Sequence, residues 1–319
     1  MGQESATGVE DTELRMPGVQ PKGHDTYLCK AVELDPEKEH YLVGISPHGS
    51  MKTAHHILMY GCEEPGSDDA VWNCGEMNNH SPEYSEAPVC SKGATIIFGW
   101  ARDAPALVLP DGVGYKVGGA SPIRYLVLQV HYMHPMAEPD YSGFTLHSTE
   151  ERQPKRAGVL LLVTGGTLGS QREENFDTAC VIDEDVEMHP FGFRVHTHKH
   201  GKVVSGWKVQ HQGNQDSWEL IGKQNPKLPQ MFYPVKDQSM TIKQGDIVAG
   251  RCHMVNSENH EYHIGPTGND EMCNFYMMYY VNGDRILSDN TCYSPGPPSY
   301  SWEEQGQLKN IPEKETEEL

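Results

Sequence analysis

Short runs of alternating apolar and polar residues recur along the whole chain. A period of two sends successive side chains to opposite faces of a strand. Residues 94–100, 124–132, 158–164, 191–198, 202–210, 240–251 and 274–281 carry this pattern and are rich in β-branched and aromatic types. The run at 124–132 ends Leu128-Gln129-Val130-His131, and Asn282-Gly283 after the last run is a hairpin-turn signal. No long stretch places apolar residues at helical spacing. The pattern predicts an all-β chain of antiparallel sandwiches.

Two polar stretches lie outside the strand pattern. Residues 1–22 and the acidic tail 303–319 are too charged to bury themselves and are predicted to be disordered. The polar segment 149–156, Thr-Glu-Glu-Arg-Gln-Pro-Lys-Arg, marks a boundary between domains at 23–150 and 157–302. Each is a comfortable size for one sandwich.

The formal charge of −20 over 319 residues argues against a nucleic-acid partner or an anionic membrane surface. The apolar stretch 159–163 fits a buried strand, and no apolar run approaches the roughly 18 residues a membrane span needs. Eight cysteines, at 29, 62, 74, 90, 180, 252, 273 and 292, fall four in each half, with none in a C-x-x-C pair. That division suggests two disulfides per domain and an oxidising compartment, against the competing reading of a cytosolic chain with free thiols. Sequence arithmetic leaves the pairing open among about 105 possibilities. Residues 1–15 carry no signal peptide, so the reading is of a mature or trimmed secreted chain. Asn79-His80-Ser81 is a glycosylation acceptor, weakened by Pro82.

The chemistry concentrates in histidines. His196-Thr197-His198 lies in a strand-like run, so the two imidazoles share a face, as a bidentate metal site requires. The alternative is a solvated, histidine-rich strand edge. In the first half His55-His56 is adjacent, and one ion can use both rings only if the backbone twists there. His131, at the end of an apolar strand, is the natural third ligand, although a lone strand-end histidine is as readily a satisfied core residue. Three imidazoles suit copper or zinc. Met272, beside Cys273, is a candidate thioether ligand, which would favour Cu(I); a single methionine among 14 is otherwise core packing.

The segment His189-x-Phe191-x4-His196-Thr197-His198-x2-Gly201 resembles a pattern of the ascorbate-dependent type II copper monooxygenases and matches it without departure. His55-His56-Ile57-x2-Tyr60-x-Cys62 is similar to the family's other pattern, with Ile57 in place of the usual methionine and Tyr60 in place of phenylalanine. The resemblance covers about residues 25–300, with the cysteines in register. It implies two antiparallel β-sandwich, jelly-roll-like domains with an intervening cleft. It implies two copper ions per chain, one held by His55, His56 and His131 to donate electrons, the other held by His196, His198 and Met272 for catalysis. Ascorbate would be the reductant and O2 the co-substrate. Gln129 would lie near the first copper, and His189 would be structural. Disulfides would join Cys29 to Cys74, Cys62 to Cys90, Cys180 to Cys292 and Cys252 to Cys273, without the fifth bridge of vertebrate-like members. The spacer 75–89 is longer than usual for the family.

Within the family the chain resembles the peptidylglycine α-hydroxylating branch. Arg194, Asn274 and Tyr276 match residues that hold the carboxylate of a C-terminal glycine, the group a guanidinium with hydroxyl and amide donors recognises. The implied reaction is hydroxylation of that glycine's α-carbon, the first step of C-terminal amidation. The implied partners are glycine-extended peptides and a separate or fused α-hydroxyglycine amidating lyase. The expected protein is a monomer of the secretory-granule lumen or extracellular space. Two alternatives stand beside it: an amine-hydroxylating enzyme of the dopamine β-monooxygenase branch, and a non-catalytic secreted copper-binding protein.

Overall fold

The computed structural model describes residues 8–49, 54, 56–75, 82–101 and 104–319; His55 and Asn79 lie outside them. The fold is almost entirely β, as the alternating pattern predicts, and Glu313–Glu317 is the one helix among the described residues. No helix there is long and apolar enough to cross a membrane. The chain divides into two compact units, 1–157 and 158–319.

In the first unit, one sheet orders Trp72–Asn73, Thr26–Glu33, Tyr125–Tyr132, His56–Cys62 and Thr95–Ala101. Tyr125–Tyr132 is central and buried along nearly its whole length, which explains its almost continuous apolar sequence. On one of its faces Val127 joins Trp72 and the cysteines 29, 62 and 74 in a small core; Gln129 and His131 continue along that face. A second sheet contains Val9–Arg15, Gly143–Thr149, Glu39–His48 and Val113–Gly118. The rings of Phe98 and Phe144, one from each sheet, meet edge to face at 5.4 Å.

In the second unit, Arg172–Val181, Ile247–Asn256, Gly201–Gln212 and Gln215–Gln224 form an antiparallel sheet. Facing it are Cys273–Asn282 and His189–Thr197, with Phe193, Val195, Phe275 and Met277 directed into the shared core. Gly206 and Gly222 make room for those rings: a Cβ there would stand 2.2 Å from Phe275 and 2.4 Å from Phe193. The disulfides are Cys29–Cys74, Cys62–Cys90, Cys180–Cys292 and Cys252–Cys273, the pairings that the resemblance implies, and no cysteine is free.

Four expectations need correction. The segment read as disordered at the N-terminus contains the strand Val9–Arg15, paired with Gly143–Thr149. Its polarity belongs to an exposed edge, while Leu14 and Met16 are buried. The acidic tail is ordered as well. Buried Arg251 binds Asp177 at 2.7 Å and reaches Glu313 at 2.6 Å, and its guanidinium lies 4.3 Å from the Trp302 ring centroid. The strand read at 240–251 runs instead from Ile247 to Asn256, because Gly245 adopts φ +91° in a turn that the Asp246 carboxylate closes on the Lys243 N–H. Asn282-Gly283 ends its strand but makes no hairpin. The following strand, Thr291–Ser294, pairs in parallel with Leu161–Thr164, so the sheets are not wholly antiparallel.

Candidate metal centres

The first histidine cluster is set by register. His56 opens the strand His56–Cys62 and lies directly opposite His131. On the other side of His131 stands Tyr27, whose ring stacks on the imidazole at 4.1 Å and 6°. The Nδ1 atoms of His56 and His131 are 3.4 Å apart, a separation that two ligands of one ion with bonds of about 2.0 Å can span. His131 Nε2 is 3.2 Å from the Asp25 carboxylate. A carboxylate there draws the ring proton to Nε2 and leaves Nδ1 as the electron-pair donor facing His56. Gln129 is buried on the face of His131, and its amide reaches the Cys74 carbonyl at 3.5 Å rather than an imidazole.

The second cluster is a ladder. Antiparallel register sets Arg194 opposite Tyr276 and His196 opposite Asn274, and the paired strands end one residue short of His198 and Met272. With the core-directed residues on the opposite face, Arg194, His196, Asn274 and Tyr276 share one face, and the His198 ring lies 5.4 Å from that of His196. That face is covered rather than solvated: Arg194, Asn274 and Tyr276 are each less than a tenth exposed. The segment after Asn225 covers it, Phe232 meeting the Tyr276 ring at 6.5 Å. Asn274 donates to the Tyr276 hydroxyl at 3.2 Å, and the Arg194 guanidinium stands 5.3 Å from the Tyr276 ring centroid.

Gln230 ties the ladder together. Its amide nitrogen donates to the Thr197 carbonyl at 3.0 Å and the Pro226 carbonyl at 2.8 Å, which directs its amide oxygen at His196 Nδ1. Its backbone carbonyl accepts from Arg194 Nε at 2.7 Å. His198 Nδ1 donates to the Asp270 carbonyl at 2.9 Å. Both imidazoles therefore carry the proton on Nδ1 and offer Nε2 as the electron-pair donor. Burial, then the Arg194 charge, hold the His196 pKa down to about 3, against the pull of the Gln230 hydrogen bond. A neutral imidazole is the form that binds a metal.

In each unit a pair of described imidazoles offers donors of the kind a metal ion takes. In the first, the Nδ1 atoms of His56 and His131 face each other; in the second, His196 and His198 each present Nε2. His189 does not join the second set; its ring stacks on Tyr280 at 4.8 Å. Asp25, Tyr27, Gln230 and Glu271 escaped sequence reasoning. Asp25 and Gln230 lie 106 and 34 residues from the histidines they contact, with no spacing that signals it. Glu271 at least stands next to Met272, and that adjacency was its only mark.

Two β-sandwich units, each presenting strand-borne imidazoles with their tautomers fixed by oxygen acceptors, define a class of all-β metal-dependent protein. Comparison with known sequences specifies it. Residues 12–139 match the profile described as copper type II ascorbate-dependent monooxygenase, N-terminal domain, and residues 155–305 match that family's C-terminal domain. The chain belongs to the copper type II ascorbate-dependent monooxygenase family. It is 42% identical over 94% of its length to peptidyl-glycine alpha-amidating monooxygenase A of Xenopus laevis, and 42% identical over 88% to peptidylglycine alpha-amidating monooxygenase of Rattus norvegicus. It spans about 30% of the former and 28% of the latter. Dopamine beta-hydroxylase of Homo sapiens is 26% identical over 84% of the chain, which covers 46% of that protein.

Proposed function

We propose that this chain hydroxylates, with O2, copper and ascorbate, the α-carbon of a C-terminal glycine in peptides. The observation that carries the reading is the ladder Arg194/Tyr276 and His196/Asn274, which sets carboxylate-binding groups beside an imidazole, with His198 and Met272 the next residues beyond its end. The higher identity to peptidylglycine enzymes than to the dopamine enzyme supports the same choice.

In this reading His196, His198 and Met272 hold the catalytic copper, and His55, His56 and His131 hold the electron-donating one. Copper held at the two sites would supply one electron each; those two electrons, with two protons, let O2 give one oxygen atom to substrate and the other to water, with ascorbate as the source of both electrons. Arg194 pairs with the peptide carboxylate, a bond that its planar fork favours over a lysine's point charge. Its Nε is already committed to the Gln230 carbonyl, which fixes the guanidinium plane and leaves the Nη groups for the ligand. Asn274 and Tyr276, bonded to each other, add amide and hydroxyl groups to the same pocket wall. Anchoring the carboxylate on one rung brings the glycine methylene toward the next, so the residues act by positioning. The face is covered, which keeps water from competing for the guanidinium.

The α-hydroxyglycine product then needs a lyase, separate or fused, to become an amide and glyoxylate. Four disulfides suit a monomer working in the secretory lumen or outside the cell. The test is mass spectrometry of a glycine-extended peptide incubated with the protein, copper, ascorbate and air. Gain of one oxygen on that peptide, and none on a phenethylamine, supports the reading. Oxygen gained only on the amine, or copper bound with no oxygen transferred, overturns it.

A further inference from the structure

Glu271 is a fully buried carboxylate, 0% exposed, in direct sequence with Met272. Its Oε1 accepts from the backbone N–H of His198 at 2.6 Å and from that of Met272 at 2.9 Å. Its Oε2 accepts from the backbone N–H groups of Lys199 and His200, each at 3.0 Å. The His200 ring also reaches Oε2, at 2.9 Å, and with its other nitrogen reaches Glu258 at 3.0 Å.

The reason for so many donors is local. The chain leaves the strand His189–Thr197 at His198 and turns before Gly201, so three successive N–H groups lose their ladder partners. Successive N–H groups in a turn form a concave anion site, and buried ones must find an acceptor. Glu271 fills that concavity from the segment just before the strand Cys273–Asn282. Because one oxygen atom holds both the His198 and the Met272 N–H, the separation of those two backbone nitrogens cannot exceed the sum of the two bonds.

We infer that Glu271 is the positioning residue that sets the spacing between the imidazole and thioether halves of the second copper site, with His200 bracing its carboxylate. The inference rests on the proposed ligand set and extends it: the metal geometry is held through backbone amides, not through the ligand rings alone. A longer or looser link would let Met272 drift from His198. A soft thioether is a weak ligand that cannot pull the backbone in by itself, so the protein must hold it there before metal arrives.

The test compares wild-type protein with Glu271→Gln, using Cu(I) competition titration and X-ray absorption of the Cu(I)-loaded protein. Glutamine keeps the shape but turns an NH2 toward the turn's N–H donors, replacing an acceptor by a donor. The expected result is a loss of about 10–100-fold in Cu(I) affinity at one of two sites, with loss of the sulfur contribution to the absorption spectrum. Glu271→Asp, which keeps the charge on a shorter arm, should recover part of both. Affinity and sulfur signal unchanged in Glu271→Gln, with the sulfur signal present in wild type, overturns the role of Glu271 alone. Absence of sulfur scattering in the wild type overturns the ligand set and the inference with it. Should Glu271→Gln fail to fold, amide exchange in metal-free wild type decides. The amides of His198, Lys199, His200 and Met272 should be protected; free exchange until copper is added overturns the inference.

Discussion

Arg194 and Tyr276 stand opposite one another in antiparallel register, the guanidinium carbon 5.3 Å from the ring centroid, and both side chains are buried on the face away from the core. No carboxylate among the described residues pairs with this buried arginine, which is poised to receive one from a ligand. If that ligand is a peptide terminus, Arg194→Gln should lower kcat/KM for glycine-extended peptides about 10–100-fold, the worth of a charge-assisted hydrogen bond. Copper content should stay at the wild-type level. Steady-state kinetics check this, and equal kcat/KM in the two proteins would remove Arg194 from the binding site.

Gln230 links the guanidinium to the neighbouring imidazole through one backbone and one side-chain oxygen. Gln230→Ala deletes the acceptor that fixes the His196 tautomer but leaves the backbone carbonyl for Arg194. Copper affinity should fall about 10–100-fold at one site only. Two unchanged binding constants in a copper titration would show that the tautomer needs no help.

Asp25 plays the corresponding part for His131 across the first sheet. Asp25→Asn weakens the acceptor for the Nε2 proton without changing size. The expected loss is again about 10–100-fold in copper affinity, now at the histidine-only site, with the sulfur-containing site unaffected. A spectroscopic titration that resolves the two sites would separate this outcome from general destabilisation.

The buried pair of Arg251 and Asp177 fastens the tail to the second unit. Arg251→Met strands a fully buried carboxylate, which costs about 3–5 kcal/mol. That should lower the melting temperature by roughly 10 °C. Removing both charges, as Arg251→Met with Asp177→Leu, should recover most of the loss. Thermal denaturation of the two variants gives the comparison, and equal melting temperatures would argue that the carboxylate is solvated after all.

His196 gives the metal-free protein an acid limit. Its folded pKa, held at about 3 by burial and by Arg194, is below the ordinary histidine value, so the unfolded chain binds the proton more readily. Its contribution to stability is therefore full above the unfolded value of about 6.5 and is lost as pH falls toward about 3. His196→Gln should flatten that part of the stability curve. Denaturant titrations of both proteins at pH 7 and pH 5 measure it; parallel curves would contradict the pKa assignment.

Strand content and the shared direction of the imidazoles in His196-x-His198 were legible because each depends on short-range alternation, a property of the backbone that no partner can change. The family motifs were legible for the same reason, being contiguous. What lay beyond reach was every contact made by residues distant in the chain. The edge strand Val9–Arg15 read as disorder because a strand exposed along most of one face carries few apolar residues. The ordered tail read as disorder because the cation that neutralises it, Arg251, lies 62 residues from Glu313.

The sequence by itself determined the class of fold, the candidate ligands and the kind of chemistry, since histidine, methionine and arginine carry those capacities wherever they stand. Only the tertiary structure decided which ring nitrogen each imidazole presents. That depends on an acceptor brought in from another strand: Asp25 for His131, Gln230 for His196, the Asp270 carbonyl for His198. It also decided that Glu271 binds His198 and Met272 through one oxygen atom. Donor geometry arises from register and burial, and neither exists until the strands have paired.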